Sequence, residues 1–217
     1  MKITSIQPLH ITDWRHTVGV LAILLAAFTC SFNVVAATVL EIGLGDMLHH
    51  SELVFEGRVT RVEPRTDQQS KGIRTYVTFD VLDVIKGSYS ARTVKISYLG
   101  GSVNDITIRV ADMSLPKPGA TGIFFVESLT HRQVHPLYGW SQGHIAITID
   151  SFGVRRVMTE DGRPITAIDP QKQRSLLSRG LSTGAASGLR VEPEARLSDA
   201  MTVEAFKLSL DDLLVSN

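Results

Sequence analysis

Gly139-Trp140-Ser141-Gln142-Gly143 has the G-x-S-x-G spacing of a nucleophile elbow, in which a serine hydroxyl stands exposed between a strand and the helix after it. The chemistry would be acyl transfer, and it needs a histidine base oriented by a carboxylate. The residues that follow, His144-Ile145-Ala146-Ile147-Thr148-Ile149, alternate with the period of a strand instead of opening a helix. His144 is also the last histidine of the chain, whereas hydrolases with this elbow place the catalytic histidine after the serine. Two glycines and an aromatic shaping the entrance to a bent strand account for the motif better. An exported serine hydrolase using Ser141 is retained as an alternative.

The other reactive side chains are dispersed. His131 and His135 are four apart, His49 and His50 adjacent, and His144 close behind. Residues four apart on a strand are separated by roughly 13 Å, so His131 and His135 could share a metal only from a loop. With no H-E-x-x-H and no carboxylate–histidine cluster, the expectation is no metal and no cofactor. Asp80 and Asp83 point to opposite faces of a regular strand, and Asp211 and Asp212 are neighbours on an exposed helix side; neither pair suits general acid–base work. Gly43-Leu44-Gly45-Asp46 and Gly100-Gly101 lack the strand-to-helix setting of a phosphate-binding loop and read as turns.

The elements that must position these residues begin after a leader. Lys2, Arg15 and His16 precede an apolar run from Val18 to Ala27, and Val35-Ala36-Ala37 places small residues where a signal peptidase cuts. Residues 1–37 are expected to be a signal peptide, with an exported chain, periplasmic or secreted, starting near Thr38. A retained anchor is the alternative, although Thr29, Cys30, Ser31 and Asn33 interrupt the apolar stretch before it reaches the roughly 20 residues a span requires. Export removes the chain from ATP, NAD and cytosolic nucleic acid. Lys+Arg and Asp+Glu are both 22, so no net field draws it to nucleic acid or an anionic membrane. The single cysteine, Cys30, lies in the leader, leaving no disulfide and no thiolate chemistry in the rest.

From Glu52 to Ile149 the pattern is a sheet. Leu53, Phe55, Gly57 and Val59 alternate with Val54, Glu56, Arg58 and Thr60, and Val77, Phe79 and Val81 with Tyr76, Thr78 and Asp80. Leu82, Val84 and Ile85 break the phase, as a β-bulge would. Further runs are Val94-Ile96-Tyr98, Ile106-Ile108-Val110 with Thr107 and Arg109 outward, and Ile145-Ile147-Ile149. Gly122-Ile123-Phe124-Phe125-Val126 is apolar on both faces and should be buried between two layers. Beyond Val154–Met158, an optional added strand, residues 159–198 are rich in Gly, Ser, Arg, Gln and Pro and read as a flexible linker. In 199–217, Val203, Phe206, Leu210, Leu213 and Leu214 share one helical face behind a Thr202 cap. That helix either docks on the sheet or offers a surface to a partner.

The runs Ser51–Val59 and Thr75–Val81, then Val84-Ile85-Lys86-Gly87, Gly100-Gly101, Lys117-Pro118-Gly119 before Ile123-Phe124-Phe125, and Gly139–His144 together resemble a family of exported bacterial proteins of unknown function. Its strand layout is similar to the OB-fold barrel of netrin modules and tissue inhibitors of metalloproteinases. The resemblance spans residues 48–149 and implies a single OB-like, five- to six-stranded barrel over 38–158. Those inhibitors chelate the protease zinc through an N-terminal cysteine; this chain has none after its leader, so that mechanism does not carry over, while contact with an exported metalloprotease by other means stays open. The expectation is a non-enzymatic binding module for a protein, peptide or glycan, with no nucleic-acid partner and no membrane insertion once the leader is cut. Tyr98, Arg109, Tyr138, Trp140 and His144 are the candidate contacts, on the face and loops that OB barrels use.

Overall fold

Long runs of β-branched and aromatic residues favour extended backbone that packs on both sides of its pleat. In the computed structural model, which describes residues 39–68, 72–169 and 181–215, those runs form β1 (Leu53–Thr66), β2 (Ile73–Lys86), β3 (Thr93–Leu99), β6 (Thr121–Val126), β7 (His144–Ile149) and β8 (Arg155–Thr159). They make one antiparallel sheet in the order β3-β2-β1-β6-β7-β8. The expected signal peptide lies outside the described residues. β4 (Gly101–Val103) and β5 (Ile106–Ile108) form a separate hairpin, as do β9 (Ile165–Ile168) and β10 (Leu189–Val191). The helices are α1 (Leu44–His50) and α2 (Val203–Val215), and none among the described residues is long and apolar enough to cross a membrane.

The alternation read from β1 sorts its side chains between two cores. Val54 joins Leu44, Met47, Ile123, Phe125, Val157, Phe206 and Leu210 on the helix-covered face. Leu53 and Phe55 join Val77, Phe79, Ile96, Tyr98, Phe124 and Val126 on the other. As expected, every residue from Gly122 to Val126 is buried, with neighbours alternating between the two layers. Phe55, Phe79 and Phe124 meet at ring-centre distances of 4.6–5.6 Å. The phase break in β2 is real: the register with β1 skips Ile85 and Leu82.

Three expectations are corrected. The sheet is not closed into a barrel: β3 and β8 are its two ends, and no ladder joins them among the described residues. The run Ile106-Ile108-Val110 is not a strand of this sheet; it lies in and just after the β4–β5 hairpin, and Ile106 is 65 % exposed. Apolar alternation there marked a hairpin with its own small groove, not a core strand. Residues 159–198 are not uniformly a linker. Ala185 and Ala186 are buried, Ser187 accepts from Leu44 N–H (2.9 Å) and donates its own N–H to Ile42 (2.8 Å), and β9 pairs with β10. Small residues read as flexible are here the ones that let two backbones approach.

The two ends of the sheet differ. At β8, Val157 N–H donates to Met201 (3.0 Å) and Thr159 N–H to Arg163 (2.9 Å), and the Arg156 guanidinium donates to the Ala200 carbonyl (2.8 Å). α2 then starts at a Thr202 cap that accepts from Ala205 N–H (3.1 Å) and buries Val203, Phe206 and Leu210. Burial of such side chains is worth roughly 1.5–3 kcal/mol apiece, which docks a helix too short to be stable alone. Lys207 bridges the buried Glu56 of β1 and Asp83 of β2, and Arg155 also pairs with Glu56. Opposing carboxylates raise the Lys207 pKa against the lowering effect of burial. Among the described residues, the outward side of β3 meets Val134 at Leu99 N–H and the Tyr89 and Arg74 side chains at the Thr93 and Ser97 carbonyls.

Candidate functional site

The elbow motif has the opposite local order from a hydrolase. Gly139 (φ +74°) and Trp140 (φ +60°) are left-handed, Trp140–Gly143 is a 3₁₀ turn, and a strand follows. Among the described residues no histidine hydrogen-bonds to Ser141. Gln142 instead ties the turn to the segment before α1, accepting from Ile42 N–H (3.0 Å) and donating to Leu40 (2.9 Å). The serine is set by a structural turn.

Three of the five sequence candidates, Tyr98, Trp140 and His144, do come together, in company the sequence did not announce. His135 stacks on Trp140 (5.3 Å) and meets Tyr98 edge-on (5.1 Å); His144 stacks on Phe124 (4.6 Å). Gly122 makes room for that stack, since a Cβ there would sit 2.8 Å from His144 Nε2. His144 Nδ1 lies 3.9 Å from Glu160 Oε1, too far for a hydrogen bond, and Ser114 Oγ donates to the same oxygen.

Burial alone would raise the Glu160 carboxyl, but the His144 ring, the Ser114 hydroxyl and His135 outweigh it and hold it below the usual range. Burial pushes His135 down to about 4, against the attraction of Glu160. Its Nδ1 accepts from Leu137 N–H (3.2 Å), which assigns the proton of the neutral ring to Nε2. Burial, and then the Glu160 charge, raises the Tyr98 phenol, whose hydroxyl has no hydrogen-bond partner among the described residues. Tyr98, His135 and His144 are buried in this polar layer, while Glu160 and Trp140 are half-buried and Ser114 is exposed at its rim. Among the described residues no group of three or more His, Cys, Asp or Glu is placed to hold a metal.

Tyr138 and Arg109 lie elsewhere. Tyr138 stacks on His50 (5.5 Å) beside α1, its phenol raised by burial and by Glu127 and Asp46. Arg109 is exposed at a groove of about 320 Å³ beside the β4–β5 hairpin, floored by Ile108, Val110, Met113 and Leu115. An opening of about 540 Å³ near α2 is lined by Glu56, Asp83, Arg155 and Lys207, whose charges are already paired with one another.

A polar groove also borders β3. A groove of about 160 Å³ runs between Tyr76, Lys95 and Ser97 on the sheet and Leu129, His131 and Arg132 in the following loop. It shares Tyr76 and Arg132 with a second opening of about 380 Å³ beside Arg65 and Asp67. Glu52 holds the loop, accepting from Leu129 N–H and Ser128 Oγ (both 2.9 Å). Arg132 pairs with Asp67 (2.7 Å). The Arg74 guanidinium donates to the Ser97 and Gln133 carbonyls, and burial plus the neighbouring Arg132 cation lowers its pKa.

Nothing in the sequence singled out Glu160 and Ser114, one inside the segment read as linker and the other in a proline-flanked loop. Lys95 could have been found: it is a lysine on the polar face of the run that becomes an end strand. Comparison of the chain with protein-family models, with curated proteins and with solved structures finds no match.

Proposed function

We propose that this chain is a non-enzymatic binding module, exported by its leader, that engages a protein, peptide or glycan through the β3 side of its sheet. The observation that carries the reading is the inequality of the two sheet ends. Residues 200–202 and Arg163 occupy the β8 edge, whereas the β3 edge borders a polar groove that no element of the described chain fills. An uncovered strand edge is a template for association, and chains that do not use one ordinarily block it. The Tyr98–His135–His144–Glu160 layer supports this role by fixing the rings beneath β3. The OB-like likeness of the strand layout fits a binding scaffold, but the reading does not depend on a closed barrel.

Site-specific photo-crosslinking tests it. A photoreactive residue at position 129, on the groove and 38 % exposed, is compared with one at position 208, on α2 and 66 % exposed, in the native envelope and secreted fractions. A discrete, saturable adduct from position 129 alone is expected. Equal or absent labelling at the two positions would sink the proposal.

A further inference from the structure

We infer that the β3 edge takes up an extended, acidic segment of another protein as an added strand, with carboxylates at alternate positions of that segment; this rests on the binding reading above.

The backbone geometry defines where a strand can add. Val81 N–H donates to Arg92 (2.9 Å) and Gly100 N–H to Ile73 (2.7 Å), so residues 92, 94, 96, 98 and 100 turn their backbone groups toward β2. Thr93, Lys95, Ser97 and Leu99 therefore turn theirs outward. Leu99 N–H confirms the phase by donating to Val134 (2.9 Å). Local groups close both ends of this outward row. The Tyr89 hydroxyl takes the Thr93 carbonyl (2.8 Å), and Arg74 takes that of Ser97 (3.0 Å). Lys95 N–H and C=O, at the centre, have no partner among the described residues. A short extended segment can exchange two hydrogen bonds with Lys95 and a third with Ser97 N–H.

The side chains then say what that segment carries. In an antiparallel pair, the incoming residue opposite Lys95 lies on the same face as the Lys95 ammonium, and the one opposite Ser97 lies at the groove with His131 and Arg132. Lys95 and Arg132 line the groove and no carboxylate does, the Glu52 carboxylate being taken up by Ser128 and Leu129 of the loop. Asp67 pairs with Arg132 and also offsets the buried Arg74, while Lys95 has no carboxylate among the ion pairs of the described residues. Carboxylates at those two alternate positions complement the excess. The residue between them faces the side of Val94 and Ile96 and is apolar.

The probe is a short soluble peptide with glutamates at two alternate central positions around a valine. Matched versions have lysines in place of the glutamates, or an N-methyl group on the residue that faces Lys95. Binding is read by fluorescence anisotropy, and amide hydrogen exchange is read residue by residue on the full chain without its leader. The glutamate peptide is expected to bind saturably and slow exchange at Lys95 at least tenfold. Lys95→Glu, N-methylation and the lysine peptide should each weaken binding at least tenfold, while Arg190→Glu on β10 leaves it unchanged. Binding without protection of Lys95, indifference to N-methylation, or no binding of the glutamate peptide would overturn strand addition. Protection of Lys95 that rises with protein concentration alone would assign the edge to a second copy and overturn it as well. A position-129 adduct kept in Lys95→Glu would leave the binding reading standing while this one falls; loss of the adduct in the unsubstituted chain would remove both.

Discussion

β3 and β8 are both end strands of the same antiparallel sheet, yet one is covered by a helix and backbone partners while the other is touched only at the two ends of its outward row among the described residues. β8 has backbone partners in Met201 and Arg163, an arginine laid along its edge to Ala200, and α2 packed beyond it. β3 has one backbone partner outside the sheet, at Leu99, and a lysine at its centre. A charged residue on an edge discourages sheet-to-sheet aggregation while leaving the hydrogen-bonding groups accessible. The difference separates an edge covered by the fold from one whose central backbone groups have no partner among the described residues.

The comparison breaks most severely if the cover of β8 is removed. Phe206→Ala takes the central anchor of α2 out of a fully buried site and should cost about 3–5 kcal/mol in chemical denaturation. Exchange at Val157 should accelerate in the same variant; unchanged exchange there would mean that α2 does not guard the edge. Val157→Pro removes the donor to Met201 from a buried strand and should cost about 3 kcal/mol or more, measured the same way.

Acid should then weigh on the β3 side. The folded protein keeps His135 neutral until about pH 4, whereas the unfolded chain protonates it near 6.5. The contribution of the neutral ring is complete above pH 6.5 and is lost as pH falls toward 4, by about 3 kcal/mol. Glu160, depressed in the fold, adds a loss in the same direction, below the usual carboxylate range. Denaturation midpoints at pH 7 and 4.5 should converge in His135→Phe, which keeps a ring on Trp140; an unaltered acid slope would remove His135 from the account.

The smallest effect is the sharpest discriminator. Lys95→Pro deletes an outward N–H and no ladder bond, so its cost should stay within about 1 kcal/mol, in contrast to the same change at Val157. It should also abolish binding of the acidic probe. A large loss of stability would show that the β3 edge is already in use within the chain.

Strand periodicity made most of the sheet legible, including the doubly buried Gly122–Val126 and the bulges at Leu82 and Ile85. Each depends on side-chain alternation over neighbouring residues, which a sequence displays directly. Closure does not: whether β3 meets another strand is decided by twist and long-range pairing, and the expected barrel is an open sheet. The Thr202 cap and the face of α2 were readable because capping and the 3.6-residue repeat are local. The approach of Ser182–Gly188 to the segment before α1 was not, because small residues signal loose linkers and close backbone contacts alike. His144, a candidate contact in the sequence, is buried beside Glu160 where β7 meets the end of β8, while Trp140 is half-buried and stacks on His135. Grouping of that kind is set by register, not by spacing.

β1 has a kinetic consequence as well. It pairs with β2 from Val54 to Thr66, interrupted only by register shifts, across the short connection from Thr66 to Ile73, but its first half also needs β6, with Gly57 opposite Gly122. Closing the larger loop costs more chain entropy before any contact repays it, by about 0.6 kcal/mol per doubling of length. The β1–β2 hairpin should therefore be an early structure and the arrival of β6 the slow step. Substitutions in β6 such as Phe124→Leu should slow refolding, and those in α2 should chiefly hasten unfolding, so the two limbs of a chevron plot would report on opposite faces of the same sheet.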